Sequence, residues 1–433
     1  RIGFFCVYFT LISLSFNKQK EENYMTKVLN IAYEEKREEA YNIRTAMEEA
    51  SRCLLCYDAP CSEACPAKTD PGKFIRSIRF RNFKGAAETI RENNPFGGSC
   101  SLICPHAKLC EEACSRTGID KPINIGKLQE FAVEQERIHN MKVYKKPAKT
   151  NGKKVACIGS GPASLTCASV LAREGYEVDV FEAEERPGGI LTYGINPSRI
   201  DQEIVDYDIS LIEELGVNII CNRRISIEEL EDLKEKYDAI HVGIGLTESK
   251  IIADENININ LEGIDAALKF LKQARTGELK SLKGENVIII GGGDVAMDCA
   301  LTAHQLGANT KVVYRRSIEE APANIDELSI VQAMGIPIIT EFSPVETIAD
   351  GNRLISVKFD SRDKLSKMEL KASRLIFAIG QKRAEDFKDF VESEGVFSSG
   401  DIKNDGETVV QAVAEGKEVA LKMIEYMNAK EEK

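Results

Sequence analysis

Eight of the thirteen cysteines lie in one window, from Cys53 to Cys114. They form two groups, which read C-x2-C-x4-C-x3-C-P and C-x3-C-P-x5-C-x3-C. Thiolates at such spacings are typical ligands of iron–sulfur clusters, and Cys-Pro after the last member is a ferredoxin pattern. The window therefore predicts a metal-bound domain. The candidate ligands are Cys53, Cys56, Cys61, Cys65, Cys100, Cys104, Cys110 and Cys114.

Two other uses of these cysteines are disfavoured. Zinc sites usually pair C-x2-C knuckles or add histidines, whereas the window has one C-x2-C and one nearby histidine, His106. Disulfide scaffolds are small and secreted, whereas this chain has 433 residues. We therefore expect two [4Fe-4S] clusters, and the order of the cysteines along the chain would divide them into two sequential quartets.

The composition is that of an acidic globular protein. The net charge is −12, which argues against nucleic acid as the main partner. The apolar run from Ile2 to Phe16 is too short for a comfortable membrane span and has no small-residue cleavage site after it. We expect residues 1–25 to be an extraneous extension, and the protein to be cytoplasmic with no membrane contact.

Residues 26–145 carry helical periodicity and lack the alternation typical of strands. Asp70 is a candidate N-cap, with Pro71 at the first helical position. A polar linker that contains Pro and Gly follows at residues 142–154. We therefore predict an all-helical iron–sulfur domain over residues 26–145.

A first glycine loop follows the apolar strand Val155–Ile158. It reads Gly159-x-Gly161-x-x-Ser164 and opens a helical segment. The first glycine makes the turn, and the second lets the backbone approach a pyrophosphate. Glu182 ends the next strand, where a carboxylate can accept hydrogen bonds from a ribose diol. This unit predicts a dinucleotide site.

A second loop, Gly291-x-Gly293-x-x-Ala296, follows the apolar strand Val287–Ile290. Tyr314 stands where an acid would be expected, and Arg315 and Arg316 follow it. A guanidinium pair at this place favours a 2′-phosphate, and hence NADPH over NADH. Two solvated arginines at a strand end remain the alternative.

Each βαβ unit is closed by a later apolar strand with a glycine turn, at Tyr237–Gly245 and at Ser373–Gln381. This order predicts that the second nucleotide domain is inserted into the first. We place the first domain at residues 152–250 plus 373–433, and the inserted domain at residues 251–372.

Several other side chains have ordinary structural interpretations. Buried cysteine behaves as a small hydrophobe, so we expect Cys157 and Cys167 to be core residues. His241 lies in apolar surroundings and is interpreted as structural. The basic stretch from Lys73 to Lys84 is interpreted as a solvated helix face.

The combined motifs resemble the dihydropyrimidine dehydrogenases, in their N-terminal part. The resemblance spans residues 46–423 and is closest to the separate bacterial electron-input subunit; the glutamate synthase small subunit is a more distant relative. The matching motifs are SRCLLCYDAPCSEACPAKTDPGKFI, FRNFKGAAETIRENNPFGGSCSLICP, INIGKLQEF, IGSGPASL, RPGG, IIIGGGDVAMD and GDI.

The resemblance changes the expected cluster ligands. It implies that Cys114 joins the first three cysteines and that Gln129 joins the second set, while Cys100 is not a ligand. The first cluster would then be bound by Cys53, Cys56, Cys61 and Cys114, and the second by Cys65, Cys104, Cys110 and Gln129.

The resemblance also implies that the first glycine loop binds FAD and the second binds NADP(H) or NAD(H). The fold would be multidomain α plus α/β, with a helical double-[4Fe-4S] ferredoxin-like domain, an FAD-binding Rossmann-like domain and an inserted NAD(P)-binding one. The implied FAD residues are Gly159, Ser160, Gly161, Pro162, Ala163, Glu182, Gly188, Gly189, Ile190, Arg199, Gly400, Asp401, Thr408 and Val409. The implied nicotinamide residues are Gly292, Gly293, Asp294, Val295, Arg315, Arg316, Ala378, Ile379 and Gly380.

The function implied by the resemblance is electron transfer from NAD(P)H through FAD and two clusters. The acceptor would be a separate FMN- and iron–sulfur-containing barrel subunit that reduces uracil or thymine, so a hetero-oligomer is expected. No catalytic acid or base is expected, because hydride transfer to a flavin does not require one. The alternatives are a small subunit that feeds glutamate synthase or a ferredoxin, and a non-enzymatic zinc- or nucleotide-binding regulator.

Overall fold

A computed structural model describes residues 40–252 and 254–431 of the chain. The expected extension at residues 1–25, and residues 26–39 of the predicted helical domain, lie outside these residues. Within the described ranges, no helix combines the length and apolar character that a membrane span requires.

The cysteine-rich domain is helical, as predicted. Asp70 caps its third helix by accepting a hydrogen bond from the Lys73 amide at 3.2 Å, with Pro71 at the first position. Apolar faces centred on Phe74, Ile78 and Leu128 form its core. The helices are α1 Ile43–Arg52, α2 Pro60–Ala64, α3 Pro71–Arg79, α4 Phe83–Asn93, α5 Gly97–Ile103 and α6 Ile125–Ile138, with 3₁₀ turns at His106–Lys108 and Ser115–Gly118.

The first nucleotide domain is a parallel five-stranded sheet in the order β15-β4-β1-β2-β3. Its central strands are apolar because helices cover both faces. The strands are β1 Lys154–Ile158, β2 Glu177–Phe181, β3 Asn218–Ile220, β4 Ala239–Val242 and β15 Val396–Ser398. The helices are α7 Pro162–Arg173, α8 Ile190–Tyr193, α9 Gln202–Glu213, α10 Glu229–Lys234, α14 Asp401–Asn404 and α15 Val409–Glu431.

The second nucleotide domain is a parallel sheet in the order β6-β13-β7-β8-β9, with an antiparallel three-stranded sheet beside it. The parallel strands are β6 Ile264–Ala266, β7 Asn286–Ile290, β8 Asn309–Tyr314, β9 Ile338–Thr340 and β13 Arg374–Phe377. The antiparallel strands are β10 Phe342–Asp350, β11 Arg353–Ser361 and β12 Lys367–Lys371, and the helices are α11 Ala267–Arg275, α12 Asp294–Gln305 and α13 Ile325–Ala333.

The structure differs from the expected domain boundary at residue 373. We placed residues 373–433 in the first nucleotide domain, but β13 pairs with β6 and β7 in the second sheet. The chain returns only after this strand, through a short antiparallel pair between β5 (Glu248–Ser249) and β14 (Gln381–Lys382). The physical reason is that β13 is apolar and largely buried, which suits an inner strand of a parallel sheet, and it pairs on both sides with strands of the second sheet.

Candidate iron–sulfur and nucleotide sites

The first group of sulfurs surrounds a small cavity in the helical domain. Cys53, Cys56, Cys61 and Cys114 line this cavity, which has a volume of about 20 Å³. Burial, together with the neighbouring Cys114 and Cys53 sulfurs, raises the pKa of the Cys61 thiol to about 11. Partly buried thiols of this kind ionise readily only when a metal cation is bound to them. Such a set of four soft donors fits an iron–sulfur cluster. The structure thus brings Cys114 to the first three cysteines, rather than the sequential fourth member, Cys65.

The second group of sulfurs lies deeper, between the helical domain and the first nucleotide domain. Burial raises the pKa of Cys104, which the neighbouring Cys100, Cys110 and Cys65 sulfurs raise further. Cys65 also contacts Thr69, whose hydroxyl lies 3.3 Å from its sulfur. The structure therefore gathers these four cysteines into a second soft donor set.

Gln129 and Cys100 are the two candidates to complete this second set. Gln129 is buried on α6, and its Nε2 donates to the Gly97 carbonyl at 2.7 Å. Cys100 is 2% exposed on α5, and burial raises the pKa of its thiol to about 12. Because the amide nitrogen of Gln129 donates to Gly97 at the start of α5, Gln129 could act as a ligand only through its oxygen.

A large cavity lies at the carboxyl ends of β1, β2 and β4. Its volume is about 440 Å³. This is the edge at which open parallel sheets bind nucleotides. Twelve of the fourteen expected FAD residues line it: Gly159, Ser160, Gly161, Pro162, Ala163, Glu182, Gly189, Ile190, Gly400, Asp401, Thr408 and Val409.

The glycines of the first loop have different physical roles. Gly159 has a φ of +89°, and a Cβ there would lie 2.7 Å from the Gly243 carbonyl oxygen. Gly161 has an ordinary φ of −70°, and its Cβ would lie 4.0 Å from that oxygen. Gly159 is therefore required by the fold, whereas Gly161 leaves the N-terminus of α7 open to a phosphate.

Glu182 is held at the rim of this cavity by backbone amides. One oxygen accepts from the Ser160 amide at 2.9 Å and from the Ser160 hydroxyl, and the other accepts from the Glu184 amide at 2.8 Å. Gly188 supports the same loop by donating to the Ser160 hydroxyl at 3.2 Å. The carboxylate is thus placed where a ribose would meet it.

Arg199 is the expected FAD residue that the structure places elsewhere. Its guanidinium is 8% exposed and binds Asp298 at 2.8 Å and Glu327 at 2.7 Å, both in the second nucleotide domain. Asn196 joins the same contact through the Asp298 carboxylate. Two buried carboxylates hold this cation, so the segment forms a contact between domains. Burial raises the pKa of Glu327 to about 7.

The second glycine loop is covered by Tyr314. A Cβ on Gly292 would lie 2.5 Å from the Tyr314 ring, whose hydroxyl donates to the Glu320 carbonyl at 2.9 Å. Arg315 and Arg316 follow at the strand end and are exposed. Of the remaining residues in the expected set, Gly293, Asp294 and Val295 begin α12, and Ala378, Ile379 and Gly380 follow the adjacent strand β13.

Our sequence interpretation treated His241 as structural and did not predict its link to the flavin cavity. His241 Nε2 lies 2.8 Å from the hydroxyl of Ser399, a residue of the cavity lining. Donor atoms of Cys157, Cys167 and His241 lie within 4.8 Å of one another, fully buried behind this wall. The parallel register between β1 and β4 places Cys157 opposite His241. The alternation of side chains along a strand does not predict this pair, because it does not show which strands are neighbours.

Two family models match the chain and together cover both halves. The model for dihydropyrimidine dehydrogenase domain II, 4Fe-4S cluster, matches residues 30–141. The model for pyridine nucleotide-disulphide oxidoreductases matches residues 153–416. These matches confirm the predicted fold class, the oxidoreductase activity and a cofactor set of 4Fe-4S clusters, FAD and NAD(P)H.

Individual relatives agree with the family models. The NAD-dependent dihydropyrimidine dehydrogenase subunit PreT homolog of Salmonella typhi is 42% identical over 398 residues, which is 88% of this chain and 94% of that protein. The NADPH-Fe(3+) oxidoreductase subunit beta of Geobacter sulfurreducens is 34% identical over 305 residues, 69% of this chain and 45% of that one.

A solved structure supports the fold alone. Mycobacterium tuberculosis FprA in complex with NADPH has a TM-score of 0.56 at 15% identity, covering 64% of this chain and 85% of that chain. The PreT homolog is matched over 94% of its length at 42% identity, and the two family models match successive parts of this chain. The chain therefore belongs to the family of the NAD-dependent dihydropyrimidine dehydrogenase subunit PreT.

Proposed function

We propose that this chain takes hydride from NAD(P)H and delivers electrons to a separate FMN-containing subunit that reduces uracil or thymine to the 5,6-dihydropyrimidine. The electron transfer in this proposal is supported by the continuity between the nucleotide cavity and the second cysteine group, and the pyrimidine acceptor by the name of the PreT relative. Helix α15 begins at Val409 in the cavity lining, and Lys417 on the same helix donates to the carbonyl of Ala67, two residues after Cys65. One helix therefore spans from the flavin site to the cysteine loop.

The side chains bind and orient the cofactors. When bound, FAD accepts a hydride and releases single electrons to iron–sulfur clusters. The loop Gly159–Gly161 and the N-terminus of α7 would bind the pyrophosphate, with Glu182 on the ribose. The first ligand set would be Cys53, Cys56, Cys61 and Cys114, and the second Cys65, Cys104, Cys110 and Gln129.

The surface beside the first cysteine group suits delivery of electrons to a partner. Tyr57 is 98% exposed and Leu54 is 44% exposed, and they flank Cys53 and Cys56 in sequence. Exposed apolar side chains of this size commonly mark interaction sites when they occur together. This arrangement supports the first cluster as the exit from the chain.

The test is copurification with the candidate barrel subunit, followed by an assay of uracil-dependent NADH and NADPH oxidation. We expect the pair to oxidise NAD(P)H only when a pyrimidine is present. A Cys61→Ser chain is the control, because it should reduce an artificial flavin oxidant yet fail with uracil. A pair that reduces artificial acceptors but never a pyrimidine would show that the substrate assignment is wrong.

A second acceptor is favoured by one observation. The Geobacter sulfurreducens relative is named as an NADPH-Fe(3+) oxidoreductase subunit, so this domain plan also occurs in a protein named for a different acceptor. The alternative proposal is delivery to glutamate synthase or to a ferredoxin. Reduction of a ferredoxin by the isolated chain, together with no uracil-dependent activity in the pair, would favour it.

A further inference from the structure

Asp208 belongs to helix α9 of the first nucleotide domain, but its carboxylate contacts helix α5 of the cysteine domain. Oδ2 accepts from the Ser99 amide at 2.7 Å and from the Ser99 hydroxyl at 2.8 Å. Oδ1 accepts from the Gly98 amide at 3.3 Å. The carboxylate is fully buried. It therefore satisfies the free amides of the first turn of α5 from another domain.

Helix α5 contributes two cysteines to the second group. Cys100 lies within it, and Cys104 caps its carboxyl end. Gln129 contacts the same helix through the Gly97 carbonyl. A carboxylate that holds the start of α5 thus holds the helix that ends at Cys104, one of the expected ligands.

The packing leaves no slack at this contact. A Cβ on Gly98 would lie 2.7 Å from Asp208 Oδ1 and 3.0 Å from the Ile204 side chain. Glycine is therefore needed at position 98 for the carboxylate to reach the amides, because an alanine would displace it.

The contact also places a buried carboxylate beside the second group. Arg91 binds Asp208 at 2.6 Å and Glu136 at 2.9 Å, and all three side chains are fully buried. One guanidinium therefore faces two carboxylates. Of the two carboxylates, Asp208 is the one that accepts hydrogen bonds from the α5 backbone. Charges in such a low-dielectric interface act strongly on their neighbours.

We propose that Asp208 is a positioning residue for the second iron–sulfur cluster and lowers the reduction potential of that cluster. The physical reason is that reduction adds negative charge, which a buried carboxylate disfavours. The inference rests on the proposed ligand set of that cluster. A residue of the first nucleotide domain would then influence the reduction potential of the second cluster.

The test is a potentiometric titration of the isolated, cluster-loaded chain, followed by electron paramagnetic resonance. We expect Asp208→Asn to raise the reduction potential of the second cluster. The ratio of reduced to oxidised cluster at a given potential should increase at least tenfold, which corresponds to about 59 mV for one electron. The signal of the first cluster should not move. The matched control is Glu136→Gln, which removes the same charge from the same guanidinium and should give a clearly smaller shift.

Iron content separates positioning from general destabilisation. Loss of the second cluster in Asp208→Asn, with full iron in Glu136→Gln, would also support the proposal. Loss in both variants, equal shifts in both, or an unshifted, fully loaded Asp208→Asn would overturn it. Gly98→Ala provides a second test, because the added methyl group displaces the carboxylate without removing its charge. This variant should also raise the potential of the second cluster. A Gly98→Ala chain with full iron and an unchanged potential would contradict the proposal. Chains that bind no clusters would instead refute the proposed function.

Discussion

Lys417 donates a hydrogen bond from Nζ to the carbonyl oxygen of Ala67 at 2.9 Å, across 350 residues of sequence. The same ammonium group lies 3.3 Å from Asn93 Oδ1. Burial lowers the pKa of Lys417, whereas the nearby Cys65 sulfur raises it. Helix α15 is thereby hydrogen-bonded to the loop that follows Cys65. This contact joins the helical domain to the first nucleotide domain, so the two domains stabilise one another.

Replacement of Lys417 by Met should weaken this connection. Hydrogen bonds from charged donors contribute about 1.5–3 kcal/mol, and we expect the free energy of unfolding to fall by about that amount. The measurement is chemical denaturation of the loaded chain. Lys422→Met is the control, because its exposed pair with Glu418 is expected to contribute only about 0.3–0.5 kcal/mol. Equal losses in the two variants would contradict the prediction.

The fourth ligand of the second cluster can be identified by two substitutions. If Gln129 is the ligand, Cys100→Ser should retain about eight irons per chain, as two [4Fe-4S] clusters require. Gln129→Leu should lose the second cluster or change its paramagnetic signal. Iron analysis and spectra of the reduced chain provide the measurement, and the reverse pattern would assign the role to Cys100.

Two glycines of the first loop should fail in different ways. Gly161→Ala should fold but bind FAD roughly tenfold more weakly or worse, about 1.4 kcal/mol, because its Cβ occupies the approach of the pyrophosphate. Gly159→Ala should reduce the stability of the apoprotein itself, because it forces a positive φ and a clash with Gly243. Flavin absorbance and thermal unfolding separate the two effects. An apoprotein destabilised equally by both changes would be inconsistent with these roles.

Arg315 tests the nicotinamide preference. If its exposed guanidinium binds a 2′-phosphate, Arg315→Ala should lower kcat/KM for NADPH about tenfold, since a charged hydrogen bond contributes about 1.5 kcal/mol or more. The value for NADH should hardly change. Arg362→Ala removes a nearby cation that pairs with Glu320 and is the control. Equal losses with both nucleotides would contradict a contact with the 2′-phosphate, and no loss with either would support the alternative of a solvated arginine.

Glu327 should make stability depend on pH. Its folded pKa is about 7, above the usual 4.5, so the folded protein binds the proton more tightly than the unfolded chain. The contribution of Glu327 to stability therefore falls as pH rises from about 4.5 to about 7 and is constant above that. Glu327→Gln should gain stability relative to the parent by up to about 3 kcal/mol between pH 5 and pH 8.

The measurement is the difference in the free energy of unfolding between parent and variant at the two pH values. Glu278→Gln, a change at an exposed carboxyl on another segment, should show a constant difference. A constant difference for Glu327→Gln as well would contradict the expected ionisation of the buried carboxyl.

Local signals predicted much of this protein because their physics operates over a few residues. The Asp70 cap needs only the next three residues, and the turn at Gly159 needs only a residue that tolerates positive φ. Cysteine spacing likewise indicated iron–sulfur chemistry, because several sulfurs must be delivered from one short loop. The sequence by itself therefore determined the cofactor classes, the order of domains and the positions of both nucleotide loops.

Long-range packing decided the rest. The grouping of Cys114 with Cys53, the second-sheet partners of β13 and the contact of Arg199 with Asp298 each join distant parts of the chain. Spacing along a sequence carries no information about which loop meets which, because that depends on how helices and sheets bury their apolar faces together. For the same reason, only the tertiary structure shows that Asp208 of one domain holds the cysteine-bearing helix of another.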